Sequence, residues 1–151
     1  GFELRAAVAP YTGGGYMHTT DDRTPVTFIT RYYLDKIKRL CDAHGTKLLF
    51  VTAPSPVNHT MQRHNEVQAL ADALAVPYLD LNLNTEELGI DWNLDTLDGG
   101  DHLNYTGCQK ATAYLQRYMQ THYTLPDSRD DVRYEAWNKQ AEEFEKLLPQ
   151  P

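Results

Sequence analysis

Asp98-Gly99-Gly100-Asp101-His102-Leu103-Asn104, closed by Gly107, sets a histidine among carboxylates in a glycine-loosened loop that runs into an amphipathic segment. These residue types suit a general base held by an acid. One carboxylate fixes the imidazole tautomer and stabilises imidazolium, while the other ring nitrogen takes a proton. Such a pair speeds acyl transfer only with a serine, thiol or water within hydrogen-bond reach, and the loop itself brings no nucleophile. Adjacent side chains in an extended segment point opposite ways, so Asp98 is the expected orienter of His102 and Asp101 the substitute. Asn104 is expected to cap or cross-link the loop through its amide. With Ser55 and Trp92 it completes the candidate substrate contacts.

Ser55 follows an apolar run, where α/β proteins present reactive groups, but it lacks the Gly-x-Ser-x-Gly elbow and has a proline on either side. It reads as a turn that lines a site, since ligands in such sheets bind beyond the carboxyl ends of strands. Trp92 reads as an anchor for a long loop. Asp91-x-Asn93-x-Asp95 matches the first three ligand positions of a calcium loop. Position six is Thr96 instead of Gly and position twelve is His102 instead of Glu, so these residues read as turn formers, with a calcium-binding interaction module as a further alternative. His18, His44, His59, His64 and His122 include no pair at the i, i+4 spacing of helical zinc sites. No metal or cofactor is expected, and Cys41 and Cys108 are expected as two buried thiols.

The elements that must position the loop follow from periodicity. Thr24-Pro25 predicts a helix start, with Ile29, Tyr33, Ile37, Leu40 and Cys41 as its apolar stripe and His44-Gly45 as its stop. Residues 47–53 form a continuous apolar run that predicts a strand buried on both faces and ended by Pro54-Ser55-Pro56. A second helix is expected from Thr60 to about Ala75, with Val67, Leu70, Ala71 and Leu74 inward, then a second strand over 76–82. Asn84–Leu88 predicts one helical turn closed by Gly89. Thr106 is the expected cap of a helix carrying Ala111, Tyr114, Leu115, Tyr118 and His122 inward. A last helix from Asp131 turns Tyr134, Trp137, Ala141, Phe144 and Leu148 to one side. Helices alternating with strands imply an α/β fold with a parallel sheet covered by helices.

A length of 151 residues allows one domain, and 41% hydrophobic residues are enough for a core. The formal charge of −7 argues against a nucleic-acid backbone or an anionic membrane surface as the main partner, and a neutral or sugar-like ligand fits better. No apolar run approaches the ~20 residues of a membrane span. Two strands leave both sheet edges unpaired, so either residues 1–23 add strands or the chain belongs to a larger domain. Self-association through the open edge is also expected.

From Tyr33 to Asp130 the chain resembles the SGNH (GDSL-type) hydrolases, and within them the bacterial extracytoplasmic branch of D-alanyl transfer and polysaccharide O-acetylation proteins. The resemblance rests on Leu34-Asp35-Lys36-Ile37 through Pro54-Ser55-Pro56, on Tyr78-Leu79-Asp80-Leu81-Asn82, and on Asp98 to Asn104 with Gly107 and Lys110. It implies a three-layer αβα, flavodoxin-like fold with a parallel sheet, of which this chain is an incomplete C-terminal portion. Residues 1–23 would be an irregular N-terminal segment, 24–125 the C-terminal part of the SGNH-like domain, and 126–151 an amphipathic helix packed on it. It also implies an esterase or acyltransferase acting on O-acyl groups of cell-envelope carbohydrate outside the cytoplasm, with His102 as base. Two departures matter: the family's acid lies three residues before the histidine, where this chain has Gly99, and its Gly-Asp-Ser nucleophile block does not occur. The alternative is a non-catalytic domain of the same fold that binds a carbohydrate or a protein partner.

Overall fold

The structure, a computed structural model, describes residues 4–148. It is a mixed α/β arrangement of five helices and a small parallel sheet. Helix α1 spans Phe28–Ala43, strand β1 Phe50–Thr52, helix α2 Met61–Leu74 and strand β2 Tyr78–Asp80. A short 3-10 turn at Leu81–Asn84 leads into the one-turn helix α3, Thr85–Leu88, and after a long loop come α4, Tyr105–His122, and α5, Glu135–Glu145. Strands β1 and β2 pair in parallel with Phe50 opposite Tyr78 and Thr52 opposite Asp80. Both are shorter than the apolar runs that predict them, because with one neighbour each the ladder can extend only where the two overlap.

Side-chain alternation along β2 divides the molecule. Leu79 turns toward a core with Leu81 and Leu88, packed by Ala111, Tyr114, Leu115 and Tyr118 of α4. Tyr78 and Asp80 turn to the opposite face, where α2 brings His64 to Asp80. The α4 stripe is therefore as expected except for His122, which is exposed and bonds back to the Tyr118 carbonyl. Leu70 and Ala71 of α2 are buried, Thr60 caps the helix, and Ala75 ends it in the left-handed region. Gly89 closes α3 at φ +71°, as the turn requires.

Several expectations are corrected. The cap of α1 is Thr27, whose hydroxyl accepts from Thr30 N, because residues 24–26 are held as a strap across α2: Thr24 N donates to Gln62 O and Val26 N to the Glu66 carboxylate. The α1 stripe is not buried, with Ile29 66% and Leu40 61% exposed, since no described element covers that face. Strand β1 is likewise open at Val51. The cap of α4 is Asn104 instead of Thr106, for reasons given below. Helix α5 begins at Glu135 after a 3-10 turn at Val132–Tyr134, and of its apolar side Trp137 stands in solvent while Phe144 meets the Tyr105 ring. Cys41 and Cys108 are free thiols, half-buried. No described helix is long and apolar enough to cross a membrane.

Candidate active site

The acid–histidine loop is built around a buried carboxylate. Asp95, 1% exposed, accepts from Lys110 Nζ, Thr106 Oγ1 and the Asp91 backbone N–H. Burial alone would raise this carboxyl, but the Lys110 and Thr106 hydrogen bonds and the backbone donor outweigh it and hold it low. Asp95 thus ties the loop to α4, while Asp91 Oδ1 accepts from the Asn93 amide and backbone N–H. Beside Asp95, Asn104 is 2% exposed. Its Oδ1 accepts from Gly107 N to start α4, and its Nδ2 donates to Leu94 O and Ala7 O. Asn104 supports the loop from within and has no surface to offer a substrate.

Above this base the chain folds back on itself. Thr96 and Leu103 form an antiparallel bridge, Leu97 N donates to His102 O, and the tip Asp98–Asp101 turns through Gly99 (φ +75°) and Gly100 (φ +98°). Those two left-handed residues explain how an acid four positions away meets the histidine. Asp98 Oδ2 lies 2.7 Å from His102 Nδ1, and Asp98 Oδ1 accepts the His102 backbone N–H at 2.7 Å. Asp101 Oδ2 is 3.7 Å from the same nitrogen, and its Oδ1 takes a hydrogen bond from Asn58 Nδ2. Asp98 is the residue that holds the ring. Its hydrogen bond, followed by the charges of Asp101 and Asp98, pushes the His102 pKa above the ordinary value, and the same bond lowers that of Asp98.

Both partners face solvent, His102 at 67% and Asp98 at 40% side-chain exposure. Ser55 and Ser128 are the only serines in the chain, and among the described residues no hydroxyl or thiol bonds to His102. The Ser55 hydroxyl donates to the Asp101 carbonyl at 2.8 Å, and its backbone N–H donates to Asn82 Oδ1. Ser55 ties the proline turn to the loop tip and is not aimed at the imidazole.

Residues 4–11, without periodicity in the sequence, run along the loop through backbone hydrogen bonds: Tyr105 N to Arg5 O, Ala9 N to Thr96 O, Gly99 N to Ala9 O, and Tyr11 N to Trp92 O. They bring Tyr11 against Gly100 and Tyr11 and Tyr16 edge-on to Trp92, at 6.1 and 6.0 Å between centroids. Trp92 is therefore an anchor, as expected, and also part of a wall. With the glycines 13–15 and Asn82 these rings line an open cleft of about 530 Å³. Nothing in the sequence signals this docking, because it is made by main-chain groups that every residue carries.

A second titratable cluster was not legible either. Asp80 Oδ2 lies 2.8 Å from both His59 Nε2 and His64 Nδ1, and 3.1 Å from the Tyr78 hydroxyl. The i, i+4 criterion passes over it because His59 precedes the α2 cap and only His64 is helical. The chain matches no known protein-family model, no curated protein and no solved structure.

Proposed function

We propose that this chain carries the acid–base half of an SGNH-type esterase or acyltransferase that acts on O-acyl groups, with cell-envelope carbohydrate as the acyl carrier. The observation that carries the reading is the His102–Asp98 pair, joined through Nδ1 at 2.7 Å with the ring exposed. In this reading His102 takes the proton from a serine hydroxyl and returns it to the leaving alcohol, and Asp98 fixes the tautomer and stabilises imidazolium. The parallel pair with α2 and α4 on opposite faces is what a piece of a three-layer αβα sheet would look like, and the two strands end toward the loops that carry the candidate residues. The serine belongs to a block absent from this sequence, and Ser55 stays a turn residue. Fluorophosphonate labelling of a chain extended upstream of Gly1 tests the proposal. Labelling that weakens in His102→Ala supports it, and a folded extended protein that takes no label overturns it. The chain of 151 residues alone is expected not to hydrolyse p-nitrophenyl acetate, and turnover lost in Ser55→Ala would relocate the nucleophile.

The cleft of Tyr11, Tyr16 and Trp92 favours a second reading, a non-catalytic domain that holds a glycan against aromatic rings. That reading expects saturable polysaccharide binding that survives His102→Ala and is lost in Trp92→Ala.

A further inference from the structure

We propose that His59, His64 and Asp80 form a binding site for a divalent transition-metal ion, with zinc as the fitting cation. Three donors of the types zinc takes, two imidazole nitrogens and one carboxylate oxygen, converge from three different parts of the fold: the turn after β1, the first turn of α2 and the last residue of β2. All three lie within 4.8 Å of one another. The side chains are shielded, with His59 7%, His64 16% and Asp80 1% exposed.

The charge of Asp80 singles this cluster out. A buried carboxylate needs a positive partner, and among the described residues no lysine or arginine pairs with it. Oδ2 instead faces the two imidazoles and the Tyr78 hydroxyl, so a cation seated between the rings would supply the positive partner. An ion bound at about 2.1 Å seats tetrahedral donors about 3.4 Å apart, so zinc requires each imidazole nitrogen to draw back from Asp80 Oδ2, now at 2.8 Å, by about 0.6 Å.

The surroundings have the features of a supported site. Asp80 Oδ1 accepts from both Asn82 N and Asn82 Nδ2, which fixes the carboxylate. His64 stacks on the Tyr78 ring at 5.5 Å, and Tyr78 in turn bonds Thr52 and Asp80. Ligands oriented by such outer contacts are characteristic of metal sites. A cleft of about 430 Å³, lined by Thr24 of the strap, Thr52 and Arg63, reaches His59. The exposed trio Asp98, Asp101 and His102 shares the residue types but stands largely in solvent, and serves as the internal control.

The proposal does not depend on the role given to His102. The test is titration of the chelator-stripped chain with zinc by calorimetry and with cobalt(II) by visible absorption. Expected are one equivalent per chain, a tetrahedral cobalt spectrum displaced by zinc, and affinity reduced more than about 100-fold in His59→Gln and in His64→Gln, each with unchanged far-ultraviolet circular dichroism. Tyr78→Phe, which removes an outer contact, should weaken binding roughly 10-fold. His102→Gln should leave binding unchanged. If a variant fails to fold, histidine ring resonances of the unaltered chain decide: zinc must move those of His59 and His64 and not that of His102. Absence of saturable uptake, uptake that survives both glutamine variants, or ring shifts confined to His102 overturns the site.

Discussion

At the scale of single residues, the His102–Asp98 pair makes a statement about protons. The hydrogen bond to Asp98 raises the histidine above 6.5, so the stabilisation it contributes is fully present below the unfolded histidine pKa and is lost as pH rises through the folded value. Asp98 is lowered, so its share is present above the unfolded carboxylate pKa and is lost as pH falls through the folded one. The pair is thus best formed between those limits, in weakly acidic to neutral solution. Titration of the His102 ring by nuclear magnetic resonance should give a midpoint above the ordinary histidine value, falling in Asp98→Asn and falling less in Asp101→Asn. An equal or larger fall in Asp101→Asn would contradict the assignment of the orienter. A further change at this scale bears on the base of the loop: Lys110→Met removes the cation from buried Asp95 and should cost roughly 2–4 kcal/mol in denaturant unfolding.

At the scale of elements, the turn Asp98–Asp101 depends on its two glycines unequally. A Cβ on Gly99 would meet open space and bring only the strain of a left-handed backbone, about 1–2 kcal/mol. On Gly100 it would also lie 2.8 Å from Pro56 Cγ and 2.8 Å from the Tyr11 ring. Gly100→Ala should therefore destabilise by about 2–4 kcal/mol and move Asp98 away from His102, seen as a His102 midpoint returning toward 6.5, whereas Gly99→Ala should largely keep the pairing. Much of this level was legible in the sequence. The order of α1, β1, α2 and β2, the stop at Gly89 and the α4 stripe from Ala111 to Tyr118 all follow from periodicity and turn chemistry, which are local properties. The start of α1 was not legible, because Thr24-Pro25 carries the right local signal and is overruled by α2, which engages the strap backbone through Gln62 and Glu66. The His59–Asp80–His64 cluster depends on two elements being side by side, and a spacing rule confined to one helix cannot see it.

At the scale of the whole molecule, the uneven distribution of apolar surface is the main feature. The α4 side of β2 is covered, while α1 presents Phe28, Ile29, Tyr33, Ile37 and Leu40 to solvent and, among the described residues, β1 has an unpaired edge. An apolar stripe of that extent beside an open strand edge favours association. Sedimentation velocity should show the average mass of the chain rising with concentration, and Ile29→Lys with Leu40→Lys should suppress the rise. A monomer at all concentrations would show that the exposed face is tolerated in isolation.

The backbone hydrogen bonds from residues 5–11 to residues 92–105 have a further meaning when time is considered. The segment and the loop it braces are some ninety positions apart, so the chain must close a long loop, and meet its entropic cost, before those bonds can form. The β1–α2–β2 unit needs only nearby residues and can assemble first. Asp98 and His102, although four positions apart, would then reach their final geometry among the last events of folding, after the amino-terminal segment has docked.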